Sequence, residues 1–170
     1  NASIGLLHSR LSIIDLDPRS NQPYTFGNYT IIFNGEIYNY IELRKDLEKK
    51  GYKFETTSDT EVLIKSFIEY GEECVNSFNG MWAFAIWNKK ANKLFLSRDR
   101  FGEKPLYYKL DSNGFYFGSE IKFIKSLYSN DLIIDHNQLK RLLVYGYKYI
   151  YNSDDTYFQS IKELPFASNA

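Results

Sequence analysis

An α+β fold built from antiparallel layers is what this sequence predicts, and three observations carry the prediction. Strand-like runs come first, then helical ones, then several short strands, then helices again, an order that favours antiparallel α+β layers over a doubly wound sheet. Asp111-Ser112-Asn113-Gly114 separates two short strand-like runs with no crossover helix behind it, as a hairpin turn does. Nowhere does a Gly-rich phosphate loop follow a strand, so nucleotide binding within these residues has no support.

Taken in order, residues 11–15 (Leu-Ser-Ile-Ile-Asp) read as a strand and residues 17–23 as a loop. Residues 29–33 (Tyr-Thr-Ile-Ile-Phe) are β-branched and aromatic, as strands are. Asn34-Gly35 follows, and that dipeptide is the commonest hairpin turn. What comes next is no returning strand: from Tyr40 to Lys50 apolar residues recur at helical spacing until Gly51. Asn34 and Gly35 are therefore expected at the end of a strand that leads into a helix. Ser58-Asp59-Thr60-Glu61 has the capping-box pattern and opens a second helix, with Val62, Leu63, Phe67 and Ile68 as its buried stripe and Gly71 as its stop. A short helical turn is expected around Cys74. Residues 81–87 are almost continuously apolar, as in a strand covered on both faces. Residues 93–97 return from it, and 107–110 with 115–117 form the hairpin. Residues 120–128 and 135–145 read as helices, the latter with Asp135 as N-cap.

Composition bounds the function. The chain has 170 residues, the size of one domain, and 44% hydrophobic residues supply an ample core. Its 21 Lys+Arg balance 21 Asp+Glu, so no net field draws it to nucleic acid or to an anionic membrane, and no apolar run approaches a membrane span. One cysteine excludes an intrachain disulfide and a cysteine-based zinc cluster, and two histidines make a dedicated metal site improbable, so no metal is expected. A cytoplasmic setting is the expectation. Both ends are short polar segments that look cut, and the whole chain, 1–170, reads as one domain of something longer.

The polar positions suggest a small zwitterion as ligand. An amide side chain (Asn34) beside a freely turning backbone N–H (Gly35) offers two adjacent donors to a developing oxyanion. Arg10 has the bidentate fork that clamps a carboxylate, although a surface acid would use it equally. Asp59 and Glu36 suit an ammonium group, although first-turn acids also simply complement a helix dipole. His8 reads as a hydrogen-bonded structural histidine, and Cys74 as a buried, inert thiol. The charged run 98–105 is open between a solvated turn and a docking edge.

The ordered strings HSRLSIID, NQPY, FNGEIYNYIELR, SDTEV, NGMWAFAIW, SRDRFGEKPLYY and FGSEIK resemble the glutamine amidotransferase domain of glutamine-dependent asparagine synthetases, a class II amidotransferase. The resemblance runs from about Leu7 to Pro165. It implies a four-layer αββα sandwich of two antiparallel sheets, of the N-terminal-nucleophile hydrolase type, here without its nucleophile strand. It implies hydrolysis of glutamine to glutamate and ammonia, which passes to a synthetase domain of the same chain for ATP-dependent amidation of aspartate. Other members serve different acceptors, and a non-catalytic domain that kept the fold is a third alternative. By motif, Asn34 and Gly35 would form the oxyanion hole, Arg10 would bind the α-carboxylate, and Glu36 and Asp59 the α-amino group. The family's nucleophile is an N-terminal cysteine, which no residue here matches. No cofactor is implied for this segment; ATP and magnesium belong to the synthetase domain, and a homodimer is left open.

Overall fold

The computed structural model describes residues 4–9, 13–146 and 153–170. Two antiparallel sheets form its centre. The first has the order β1-β2-β3-β4, from β1 (Tyr24–Phe26), β2 (Tyr29–Ile37), β3 (Gly80–Asn88) and β4 (Lys93–Arg98). The second has β5 (Tyr107–Asp111) between β6 (Gly114–Gly118) and β7 (Lys162–Glu163).

Side-chain alternation along the strands sorts the core into two layers. Ile31, Phe33 and Ile37 of β2, Trp82, Phe84 and Ile86 of β3 and Phe95 of β4 pack with Leu63 and Ile64 of α2 (Asp59–Tyr70), and with Tyr40 and Leu43 of α1 (Tyr40–Lys49). Their neighbours Ile32, Ala83, Ala85, Leu94 and Leu96 turn the other way and meet Tyr108 and Phe117 of the second sheet, with Leu106 and Leu164 from the residues flanking its strands. Outside that sheet lies α3 (Ile121–Leu127), with Ile124 fully buried. Helices, sheet, sheet and helix thus stack in the expected four layers. A fourth helix, α4 (His136–Tyr145), starts at Asp135, whose carboxylate accepts from the N–H groups of Asn137 and Gln138.

Three expectations need correction. The strand that was to end at Phe33 runs on to Ile37, because β3 pairs with all nine residues, from Tyr29↔Asn88 to Ile37↔Gly80. Asn34-Gly35 is therefore interior to a strand and not a turn at its end. A paired partner overrides the local turn preference here. Gly35 (φ +154°) lets the strands approach: a Cβ there would lie 2.2 Å from the Met81 carbonyl oxygen. Gly80 (φ +157°) does the same from β3, where a Cβ would lie 2.0 Å from the Glu36 carbonyl oxygen. Second, the strand expected over 11–15 is not seen in its described part, 13–15; Leu11 and Ser12 lie outside the described residues. Third, only half of the capping box forms. Ser58 Oγ accepts from Glu61 N at 3.3 Å, but the Glu61 carboxylate turns to other donors.

The run 98–105 is not a solvated turn laced with surface ion pairs. Asp99 is 1% exposed and accepts from the N–H groups of Trp82, Phe101, Glu103 and Lys104. Arg98 is buried as well, donating to the carbonyls of Gly102, Lys104 and Leu164.

Candidate active site

The open edge of β2 builds the site. β1 pairs with β2 only from Tyr24↔Ile31 to Phe26↔Tyr29, and beyond Ile31 that edge has no neighbouring strand among the described residues. Residues 29, 31, 33, 35 and 37 direct their backbone N–H and C=O toward it, by antiparallel alternation. Side chains take some of these groups. Phe33 N–H donates to Gln22 Oε1 at 2.5 Å, and His8 Nε2 lies 3.0 Å from the Phe33 carbonyl oxygen. Ile37 N–H donates to Asp59 Oδ2 at 3.1 Å. Between them stands Gly35. Its N–H faces the same edge, and among the described residues no side chain or loop carbonyl accepts from it.

Asn34 is next to it, with its side chain on the face toward the second sheet. Its amide donates to Ser119 Oγ at 3.3 Å, between β6 and α3, which fixes the amide's direction and leaves its second N–H free to point elsewhere. Asparagine amide and glycine N–H are thus adjacent donors, one on a face and one at the edge of the same strand.

Two acids lie close by, Glu36 on the same strand and Asp59 bonded to Ile37 N–H. Asp59 is 6% exposed, in the first turn of α2. Burial pushes its carboxyl above the usual range; the N–H groups of Ile37 and Thr60 offset part of that push, and the Glu36 carboxylate adds to it. Neither Asp59 nor Glu36 has a lysine or arginine partner among the described residues. Two neighbouring acids with no cation partner among the described residues have the charge that suits an ammonium group. Asn34, Gly35, Glu36 and Asp59 therefore lie near one another at one end of β2. Arg10, the expected carboxylate clamp, lies outside the described residues.

Cys74 is no nucleophile. It is 1% exposed within the 3₁₀ turn Gly71–Ser77, and burial pushes its thiol up to about 12. Sequence reasoning gave no role to Gln22, Thr60 or Ser119, which hold the site from behind. NQPY, SDTEV and FGSEIK were visible as strings, but the partner of each polar group is set only by the folded chain. Asn39 is a further support: its side chain bonds Ser77 O and Asn79 N (2.9 and 2.8 Å), tying the start of α1 to the entry of β3.

Comparison with known proteins agrees with this geometry. A family model described as a glutamine amidotransferase domain matches residues 1–170. "Asparagine synthetase [glutamine-hydrolyzing] 3" of Bacillus subtilis (strain 168) is 50% identical over 121 residues, which are 69% of this chain and 20% of that protein. "Asparagine synthetase [glutamine-hydrolyzing] 1" of the same organism is 47% identical over 146 residues, 85% of this chain and 23% of that protein. The chain thus spans about a fifth of the length of these relatives. Among solved structures, the glutamine phosphoribosylpyrophosphate amidotransferase from B. subtilis, complexed with ADP and GMP, superposes with a TM-score of 0.51 at 25% identity. That match covers 57% of this chain and 23% of that one. An α+β sandwich of two antiparallel sheets, an open strand edge presenting amide donors, and these relatives place the chain in one family: it belongs to the glutamine amidotransferase domains.

Proposed function

We propose that this chain is the glutamine-hydrolysing unit of an asparagine-synthetase-type amidotransferase, releasing glutamate and ammonia. The observation that carries the reading is the Gly35 N–H on the edge of β2, without an acceptor among the described residues, beside the Asn34 amide and near the pair Glu36 and Asp59, which has no cation partner among those residues.

In this reading glutamine lies along that edge. Its α-ammonium goes to Asp59 and Glu36, neutralising the charge that burial disfavours, and its α-carboxylate goes to Arg10. The γ-carbonyl oxygen then meets Asn34 Nδ2 and Gly35 N–H. Both are fixed before reaction, Gly35 by β3 and Asn34 by Ser119, so neither has to reorganise when negative charge develops on that oxygen. Cys74, buried and protonated, is not the attacking thiol in this reading, which gives that role to an N-terminal cysteine of the family's kind. Ammonia is used by a synthetase domain of the same polypeptide, where ATP and magnesium act and aspartate is the acceptor. A cytoplasmic setting suits the free thiol of Cys74; no described helix is long and apolar enough to cross a membrane.

The test is kinetic, on the full-length protein. Asn34→Ala lowers kcat for glutamate release about 10²–10³-fold and changes KM far less, because the oxyanion exists only after attack. An equal loss in KM alone, or no glutamate release by the unsubstituted protein, overturns the reading.

A further inference from the structure

Gln22 stands where β1 would have continued. The register Tyr24↔Ile31 extended by two residues sets Gln22 opposite Phe33. Pro23 has no N–H to give a ladder, and β1 begins only after it. At this position the side chain of Gln22 does what a backbone would have done: its Oε1 accepts from Phe33 N–H at 2.5 Å. The other end of the same amide donates through Nε2 to Thr60 Oγ1 at 3.3 Å, in the first turn of α2. Thr60 is 3% exposed, so this contact is shielded from water.

The two ends of that bridge are placed tellingly. Phe33 immediately precedes Asn34, and Thr60 immediately follows Asp59. A second strut, Asp59 Oδ2 to Ile37 N–H, joins the same strand to the same helix four residues further on, about 13 Å along β2. Gly35 lies midway between the two attachments. The strand that carries the proposed oxyanion donors is therefore fixed to the helix that carries the proposed ammonium acid on both sides of Gly35.

We propose that Gln22, through Thr60, is a positioning residue that sets the separation between the amide end and the ammonium end of the glutamine site. This rests on the glutaminase reading above. A ligand held at both ends tolerates little error between them, and a misplacement near 1 Å costs up to about a hundredfold in rate. Gln22 touches neither end of the ligand and acts only through the strand and helix it joins.

The experiment is a double-mutant cycle on glutamate release by the full-length protein. Gln22→Leu and, from the helix side, Thr60→Val each lower kcat/KM for glutamine about tenfold, while Thr60→Ser, which keeps the hydroxyl, retains the starting value. Combined with each other, the first two give no more loss than either alone, since both break one bridge. Combined with Asp59→Asn, Gln22→Leu costs less than about twofold more, because the ammonium end has already been released. Losses that multiply in both cycles show general damage to the fold and overturn the proposal. So does an unchanged kcat/KM in a Thr60→Val protein, whose Gln22–Phe33 bond is intact and whose folding is checked by thermal melting. A starting protein that releases no glutamate removes the glutaminase reading itself; one that does so while the cycles multiply removes only the role of Gln22.

Discussion

Asp59 and Glu61 are two residues apart in the first turn of α2, both carboxylates and both buried, and they are treated oppositely. Glu61 accepts from Glu55 N–H, from Thr56 N–H and Oγ1, and from Lys65 Nζ, one turn along the same helix. Burial pushes its carboxyl up, but these bonds outweigh it and hold it below the usual range. Lys65 is also held over the rings of Phe26 and Phe54, at 4.4 and 4.6 Å from their centroids. Asp59 has backbone N–H groups, a second carboxylate nearby and no cation among the described residues, and its carboxyl stays above the range. The first arrangement is complete by itself; in the proposed glutaminase reading the second is completed by a ligand. On that reading, local rules are satisfied where the fold needs fixing and left unsatisfied where a substrate binds.

Breaking the complete cluster has the largest effect. Lys65→Ala strands a fully buried carboxylate, and the expected loss is about 3–5 kcal/mol of unfolding free energy, measured by denaturant titration of the chain. The double substitution Glu61→Gln with Lys65→Met removes both charges together and recovers most of that loss. If the single substitution costs no more than the double, the contrast between the two acids does not hold.

A third buried carboxylate sharpens the comparison, because Asp99 is satisfied by backbone alone. Its four N–H donors outweigh burial and hold it below the usual range. Asp99→Asn turns an NH₂ group toward two of those donors and costs about 1–3 kcal/mol near neutral pH. The sign of the pH dependence follows from the lowered carboxyl. Its contribution is present above the unfolded carboxylate's range and is lost as pH falls through the lower folded value. The gap between the two proteins therefore closes in acid, as pH-dependent denaturant curves would record; a constant gap assigns the loss to packing instead.

Much of this was legible before folding. The helix starts at Ser58 and Asp135, the 111–114 hairpin and the apolar run of β3 depend on residues close in sequence, and pattern alone reveals them. The run around Asn34 and Gly35 was legible as a motif but not as conformation. Its strand continues because Gly80, 45 positions after Gly35, leaves room for it to pair, and no local rule sees that far. Glu61 illustrates the same limit. The capping box placed its carboxylate at the helix start, but a lysine one turn on and the extended segment before Ser58 compete for it and win. Gln22 and Ser119 could not be assigned from sequence at all, since their importance lies in partners 11 and 85 residues away.

The smallest expected effect separates the two acids most directly. Asp59→Asn keeps an oxygen for Ile37 N–H and removes a charge that burial and Glu36 both disfavour. Because the folded carboxyl lies above its unfolded value, the charged form weakens the fold at pH above both, and that penalty fades as pH falls through the folded value toward the unfolded one. The variant is therefore more stable than the starting protein at neutral pH, by a melting shift of about 2–4 °C for each 1 kcal/mol gained, and the difference disappears in acid. Glutamine raises the melting temperature of the starting protein and leaves that of the variant unchanged, since the ammonium no longer finds its charge. A variant that melts lower at every pH would make Asp59 a structural acid like Glu61, and the ligand would have to be sought elsewhere on the edge of β2.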